Sequence, residues 1–158
     1  MPKIDLDTAK VFAGSGYPEP YASQMGERTF QLLGETAGLT EFGVDLVTMQ
    51  PGATSSLRHW HSAQDEFAMI VEGELTLVED DGEQTVRPGD CIGWPKNSGN
   101  GHHLKNHSGQ IAKFLVVGTK STPDICTYSD VDLEYHNEGE TGRYTRRGGA
   151  PLPSETES

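Results

Sequence analysis

The sequence predicts an all-β protein whose strands are spaced closely enough for a sandwich or a barrel. Its 19 Gly and 9 Pro recur between short apolar runs rather than pooling in one linker. Within Phe42–Met49, the apolar residues Phe42, Val44 and Leu46 occupy every second position, which is typical of a strand with one buried face. No segment keeps an apolar period of 3.6 residues over a helical length, so the strand interpretation is preferred.

Eight apolar runs are predicted to form the strands. They are Thr29–Leu33, Phe42–Met49, Glu66–Glu72, Glu74–Val78, Gln84–Val86, Cys91–Trp94, His102–Asn106 and Ile111–Val117. The segment Glu79-Asp80-Asp81-Gly82 predicts a hairpin, because Asp-Gly is favoured where the turn needs a positive φ. Val71–Glu74 indicates a second tight connection, and a short helical turn is expected around Tyr21–Glu27.

The length of 158 residues fits one domain. Of the 31 Leu, Ile, Val and Phe residues, 23 lie between positions 30 and 118, so the apolar core is central. We therefore expect an N-terminal arm at 1–28, a compact core at 29–119 and a C-terminal extension at 120–158 whose last residues are mobile. Within the extension, Val131, Leu133 and Tyr135 alternate, which predicts an added edge strand over Tyr128–Tyr135.

The charge and the apolar pattern exclude several classes of partner. A net charge of −12 opposes binding to the phosphate backbone of nucleic acid. No apolar run approaches the roughly 18 residues that a membrane span needs, and the N-terminus lacks the apolar core of a signal peptide. The two cysteines, Cys91 and Cys126, form no CxxC motif and are interpreted as ordinary thiols. These features predict a soluble cytoplasmic protein that binds neither nucleic acid nor membrane.

Five of the six histidines lie between positions 59 and 107, inside the predicted core. Residues i and i+2 of a strand point to one face, so His59 and His61 would present two imidazoles to the same side. Glu66 could return to this point if the chain turns after His61, and His102 would arrive from a separate strand. Neutral imidazoles and one carboxylate suit Fe, Mn, Co, Ni, Cu or Zn, with positions left for water or substrate.

The spacing of these residues resembles the two motifs of the cupin superfamily. The first motif is matched by Pro51-Gly52, six residues, His59-x-His61, four residues, Glu66, six residues and Gly73. After 15 residues the second is matched by Gly89, five residues, Pro95, and then His102, three residues and Asn106. The likeness extends over most of Thr29–Thr119 and is closest to a small single-domain bacterial cupin of the conserved-barrel type.

The resemblance implies a double-stranded β-helix, or jelly-roll barrel, with one divalent transition metal inside. Carried across by position, the metal ligands are His59, His61, Glu66 and His102. The family also implies a small-molecule ligand or substrate and a homodimer, for which an outward-facing Trp60 is one candidate contact. Trp60 and Trp94 are otherwise interpreted as packing residues, Arg58 as part of a surface ion pair and Asn106 as hydrogen-bonded within its own turn.

Three departures from the family pattern fall in turns. The gap from Gly52 to His59 is one residue longer than the common form, Asn97 replaces the expected Gly, and two extra residues precede His102. These changes are expected to alter the lip of the site more than the ligand geometry.

Two neighbours compete with the assigned ligands. Asp65 could replace Glu66, but only Glu66 keeps the six-residue interval to Gly73. His103 could replace His102, but only His102 keeps three residues before Asn106, and adjacent strand residues face opposite sides. We expect His103 to lie outside the coordination shell, with a subunit interface as one possible role.

The cupin fold supports isomerase, oxygenase and lyase chemistry, so the fold alone selects none of them. The sequence therefore predicts a metal-dependent enzyme that acts on a small polar metabolite. The alternative is a non-catalytic cupin that binds metal and a small ligand such as a sugar or an organic acid. A purely structural barrel is disfavoured by the intact set of four ligands. No catalytic residue beyond those ligands is assigned.

Overall fold

Thirteen strands and little helix make up the computed structural model, which describes residues 3–153. The strands are β1 Val11–Ala13, β2 Arg28–Leu32, β3 Phe42–Met49, β4 His59–His61, β5 Glu66–Glu72, β6 Leu75–Glu79, β7 Gly82–Val86, β8 Cys91–Trp94, β9 His103–Lys105, β10 Ala112–Thr119, β11 Asp124–Tyr128, β12 Glu134–Asn137 and β13 Gly142–Thr145. One short α-helix, α1 Leu33–Ala37, and 3₁₀ turns at Ala22–Gln24 and Arg147–Gly149 complete the secondary structure of this range. The prediction of an all-β fold is confirmed.

The strands form three antiparallel sheets that enclose the core. The six-stranded sheet has the order β1-β2-β3-β10-β5-β8, the four-stranded sheet β13-β12-β11-β4, and the three-stranded sheet β7-β6-β9. A bridge between His59 and His102 joins the two smaller sheets, so together they form the second wall of a jelly-roll barrel. Val47, Ile70 and Phe114 of the large sheet pack with residues of the three-stranded sheet in one buried cluster. This apolar packing holds the two walls together.

Several predicted elements are confirmed. The predicted strands Phe42–Met49, Glu66–Glu72 and Cys91–Trp94 have the observed bounds of β3, β5 and β8. Glu79 pairs with Gly82 across a two-residue hairpin, and Gly82 has a φ of 135°. The expected helical turn near residue 21 is the 3₁₀ turn at Ala22–Gln24.

Gly73 forms the predicted tight connection between β5 and β6. Its φ is 73°, and a Cβ there would lie 2.6 Å from the Ile111 carbonyl oxygen. A side chain would therefore be excluded by both backbone conformation and space.

The prediction of an edge strand over Tyr128–Tyr135 is wrong. β11 ends at Tyr128, the chain turns, and β12 begins at Glu134. Alternating apolar residues do not distinguish a strand from a turn that buries one side chain, and Leu133 is fully buried in this turn. The helix α1 was also not predicted, because five residues are too short for a helical period to be recognised.

The C-terminal strands pair directly with β4. In this register Cys126 lies opposite His61, and Tyr128 lies opposite His59. Residues 124–145 therefore build part of the wall that surrounds the histidines. The expectation of mobility covers the last eight residues, 151–158, of which 154–158 lie outside the described range. Among residues 3–153, no helix is long and apolar enough to cross a membrane.

Candidate metal centre

Four side chains from three segments converge on one point between the walls of the barrel. His59 and His61 come from β4, Glu66 from the first position of β5, and His102 from the residue before β9. Oε2 of Glu66 lies 3.6 Å from Nε2 of His59, 3.8 Å from Nε2 of His61 and 2.9 Å from Nε2 of His102. The structure thus brings together all four residues that the motif spacing singles out.

Hydrogen bonds hold two of the imidazoles from the far side of the ring. Nδ1 of His59 lies 2.9 Å from the Leu57 carbonyl oxygen, and Nδ1 of His61 lies 2.6 Å from Oδ2 of Asp124. Because a carbonyl and a carboxylate only accept, each Nδ1 carries the proton in the neutral ring and Nε2 is left with a lone pair. The lone pairs of both rings are therefore available on the side of Glu66, as metal coordination requires.

His102 is held by stacking. Its ring lies 3.8 Å from the indole of Trp94, with an interplanar angle of 6°. The indole nitrogen of Trp94 in turn donates to Oε1 of Glu79 over 2.9 Å. Trp94 is 7% exposed, in agreement with its interpretation as a packing residue.

Burial and the contacts between the Glu66 carboxylate and the imidazoles together set the pKa values of Glu66, His59 and His102. Burial acts to raise the pKa of Glu66, but the neighbouring His102 and His59 imidazoles hold the pKa well below the usual value, so the carboxylate is ionised. For His59, desolvation is outweighed by Glu66, which raises the imidazole pKa. For His102, desolvation prevails and lowers the pKa. An ionised carboxylate among three imidazoles is a donor set that fits a first-row divalent ion.

Asp124 was not found by sequence reasoning. Its side chain is 1% exposed, and besides His61 it accepts hydrogen bonds from Ser62 Oγ at 3.2 Å and from the Ala63 amide at 2.8 Å. Burial opposes ionisation, but the bond to His61 lowers the pKa of Asp124. No sequence signal marks this residue, because it reaches His61 only through the pairing of β11 with β4.

Cys126 also lies at the site, although the sequence suggested only an ordinary thiol. Its Sγ and one nitrogen each of His59 and His61 lie within 4.8 Å of one another. The thiol is free and buried, and burial raises its pKa. His59, Glu66 and His102 form a second such group, so the His, Glu and Cys side chains of this centre could hold a metal ion.

The two competing neighbours point elsewhere. Oδ1 of Asp65 accepts a hydrogen bond from the Lys96 amide at 2.8 Å. Nδ1 of His103 lies 2.9 Å from the Ser56 carbonyl oxygen, and desolvation lowers the His103 pKa to about 4. Neither residue belongs to the metal-competent groups among residues 3–153.

Two other sequence interpretations are confirmed beside the site. Arg58 forms ion pairs with Asp80 and, at 2.7 Å, with Asp130. The Asn106 carboxamide accepts hydrogen bonds from Ser108 within its own turn and donates to the Met49 carbonyl oxygen at 3.0 Å.

Two cavities are lined in part by histidines of the candidate centre. The inner one, of about 130 Å³, is largely apolar and is lined by Phe30, Val47, Trp94, Leu104, Phe114 and Val116, together with Ser55, Ser56, His59, Glu66, His102 and His103. The outer one, of about 280 Å³, reaches His59 and His61 from the side of the C-terminal strands. Its remaining lining combines apolar surface with hydroxyl groups and one guanidinium: Ser15, Gly16, Tyr17, Arg28, Phe30, Ser55, Ser56, Cys126, Tyr128, Tyr135 and Tyr144.

Comparisons with known proteins agree with this architecture. The family model for the cupin domain matches residues 45–118. A sugar phosphate isomerase of the cupin superfamily from Silicibacter pomeroyi is 44% identical, with a TM-score of 0.93 and coverage of 97% of this chain and 98% of that chain. No curated protein matches the chain in sequence.

More distant structures share only the fold. A candidate sugar phosphate isomerase from Acidithiobacillus ferrooxidans is 22% identical, with a TM-score of 0.73 and coverage of 82% of this chain and 83% of that chain. A polyketide cyclase from Streptomyces resistomycificus is 24% identical, with a TM-score of 0.60 and coverage of 78% and 83%. Given 44% identity along nearly its whole length to a member, together with the matching domain model, the chain belongs to the cupin superfamily.

Proposed function

We propose that this protein is a divalent-metal-dependent isomerase that acts on a small phosphorylated sugar. The observation that carries the proposal is the convergence of three Nε2 atoms within 3.8 Å of one carboxylate oxygen, beside a cavity that serine and tyrosine side chains line. The relative from Silicibacter pomeroyi, described as a sugar phosphate isomerase, supports the choice of isomerase chemistry over oxygenase or lyase chemistry.

In this proposal His59, His61, Glu66 and His102 hold the metal. A divalent ion bound there supplies a Lewis acid that polarises the carbonyl and hydroxyl oxygens of a sugar. Asp124 keeps the His61 ring in the tautomer whose Nε2 lone pair faces Glu66. Since the ligands are fixed by β4 and its neighbours before substrate arrives, little reorganisation is needed on binding.

The cavity lining serves to orient a polyhydroxylated substrate. Burial raises the pKa of Tyr17 and of Tyr128, so both phenols stay protonated and can donate to sugar oxygens. The ring of Tyr128 lies 6.1 Å from that of His59, at the edge of the centre.

The proposal is tested with protein reconstituted separately with Mn²⁺, Fe²⁺, Co²⁺, Ni²⁺, Cu²⁺ and Zn²⁺. Aldose and ketose phosphates of five and six carbons are incubated with it in D₂O, and interconversion and deuterium incorporation are followed by NMR. We expect one pair to interconvert, with activity lost in His61→Ala and Glu66→Gln and retained in the surface control Asp81→Asn. Binding of these sugars without conversion in any metal form would favour the non-catalytic alternative.

We also propose that the protein is a cytoplasmic homodimer. The outer face of the six-stranded sheet supports dimerisation, because Phe67 and Val71 on β5 are 41% and 45% exposed and share one face of the strand. Leu115 and Val117 on β10 pair with β5 on that face. Light scattering should give twice the mass of the chain, and Phe67→Glu should shift it to the monomer. Fractionation of source cells tests the location.

A further inference from the structure

Arg28 is a buried cation without an anionic partner among the residues that the structure describes. It lies at the start of β2, its side chain faces the outer cavity, and it is 5% exposed. Nε donates to the Ser55 carbonyl oxygen over 2.9 Å, which fixes the plane of the guanidinium. Nη1 is buried and has no hydrogen-bond partner, and Arg28 takes part in no ion pair among residues 3–153.

A guanidinium in this position is energetically costly by itself. Arginine stays protonated in proteins, and a buried charge is normally paired or fully hydrogen-bonded. The ring of Phe30, 5.5 Å from Cζ, offers a weak cation–π contact but no countercharge. Nη1 has no partner among residues 3–153 and Arg28 lines the cavity, so a ligand that enters the cavity could complete the bonding of the guanidinium.

The cavity around Arg28 has the character of an anion site. The chain carries 24 Asp and Glu against 12 Lys and Arg, yet no Asp or Glu is among the lining residues of this cavity in the described range. The hydroxyl groups present have protons to donate. Ser55 Oγ accepts from the Leu104 amide, and the Tyr17 hydroxyl oxygen accepts from the Leu57 amide, so each O–H proton remains free for a ligand.

The same cavity connects Arg28 to the metal-competent residues. Ser55 accepts from Arg28, and the next residue, Ser56, places Oγ 3.2 Å from Nδ1 of His59. His59 and His61 line the cavity together with Arg28. A molecule with an anionic group and a neighbouring oxygen could therefore bind both ends of the cavity at once.

We propose that Arg28 is the residue that recognises the phosphate group of the substrate, with the sugar oxygens directed toward His59 and His61. This inference rests on the proposed function for its substrate class. The guanidinium suits a phosphate monoester because its planar fork can donate two parallel hydrogen bonds, and the serine and tyrosine hydroxyls supply the remaining donors.

The test compares Arg28→Met and Arg28→Lys with the control Arg87→Met. Arg87 is an exposed arginine paired with Glu74 and lies outside the cavity. Binding of inorganic phosphate, glucose 6-phosphate and glucose to the metal-loaded proteins is measured by calorimetry, and metal content and circular dichroism are recorded for each variant.

Wild type and Arg87→Met should bind both phosphate compounds and should prefer glucose 6-phosphate to glucose. Hydrogen bonds to charged groups contribute about 1.5–3 kcal/mol, so Arg28→Met should weaken binding of both phosphate compounds about 10–100-fold with metal content unchanged. Arg28→Lys keeps the positive charge but loses the planar guanidinium, so its affinity for the phosphate compounds should lie between those of wild type and Arg28→Met. If Arg28→Met does not fold, the affinities of Arg28→Lys and wild type for the phosphate compounds are compared instead, and a lower affinity in Arg28→Lys supports the role of Arg28.

Two results would overturn the inference: equal affinity for phosphate in wild type and the folded Arg28 variants, or no preference of wild type for the phosphorylated sugar. The two proposals fail separately. Sugar phosphates that bind through Arg28 but are never isomerised would contradict the proposed function alone. Isomerisation with an unchanged KM in Arg28→Met would contradict the role of Arg28 alone.

Discussion

Oδ2 of Asp124 lies 2.6 Å from Nδ1 of His61, and the same carboxylate is anchored by the Ala63 amide. Asp124 is the first residue of β11, so a C-terminal strand determines the orientation of a histidine in the central motif. The histidine is thereby held in one tautomer and one ring orientation.

Replacing Asp124 with Asn should weaken metal binding without removing a ligand. The amide keeps the size of the side chain but loses its charge, and it can turn an N–H toward Nδ1 so that the proton moves to Nε2. Loss of such a partner typically costs about 10–100-fold in metal affinity. Competition with a chromophoric chelator measures the change, and Asp81→Asn at the tip of the exposed hairpin is the matched control. Equal affinities in the two variants would show that Asp124 has no positioning role.

His61 and His103 should respond differently to truncation. His61→Ala removes an Nε2 that lies 3.8 Å from Glu66, whereas the His103 ring is hydrogen-bonded to the Ser56 carbonyl oxygen. We expect metal content, measured by mass spectrometry after dialysis, to fall sharply in His61→Ala and to stay near the wild-type level in His103→Ala. Equal losses of metal in both variants would contradict the proposed set of metal ligands.

Glu66 and Cys126 offer alternative fourth donors. Glu66 lies within 3.8 Å of all three histidines, whereas Cys126 groups with His59 and His61 only. We therefore expect Glu66→Gln to lose metal and Cys126→Ser to retain it. The Co²⁺ form of the wild type should lack a thiolate-to-cobalt charge-transfer absorption. A strong band that disappears in Cys126→Ser would assign the sulfur to the metal instead.

The sequence was most informative about features that depend on residues close together in the chain. The proposed ligands were carried over from the spacing of the two cupin motifs, and the four side chains converge in the structure. Asp124, Cys126 and Arg28 could not be found in this way, because β11 and β2 reach the centre through strand pairing that no local pattern encodes. The prediction of an edge strand over Tyr128–Tyr135 failed for the same reason. The alternating apolar residues do not show that the chain turns between β11 and β12.

Asn97 shows how a departure from the family pattern is accommodated. It replaces the expected Gly, and its φ of 57° is the only positive value among non-Gly residues of the described range. Asn tolerates this conformation because its short polar side chain can hydrogen-bond locally. The Asn97 amide donates to the His61 carbonyl oxygen over 2.7 Å, so this turn also supports the strand that carries the ligand pair.

Substitutions at Asn97 should therefore differ in stability according to how well each new residue tolerates a positive φ. A left-handed conformation costs a residue with a Cβ about 1–2 kcal/mol, so Asn97→Ala should lower the free energy of unfolding by about that amount relative to Asn97→Gly. Urea denaturation of the metal-free proteins measures the difference. Asn97→Gly should bind as much metal as wild type, because the amide that holds His61 is kept. If Asn97→Ala were as stable as Asn97→Gly, the turn would not require a positive φ, and the replacement of Gly by Asn would need another explanation.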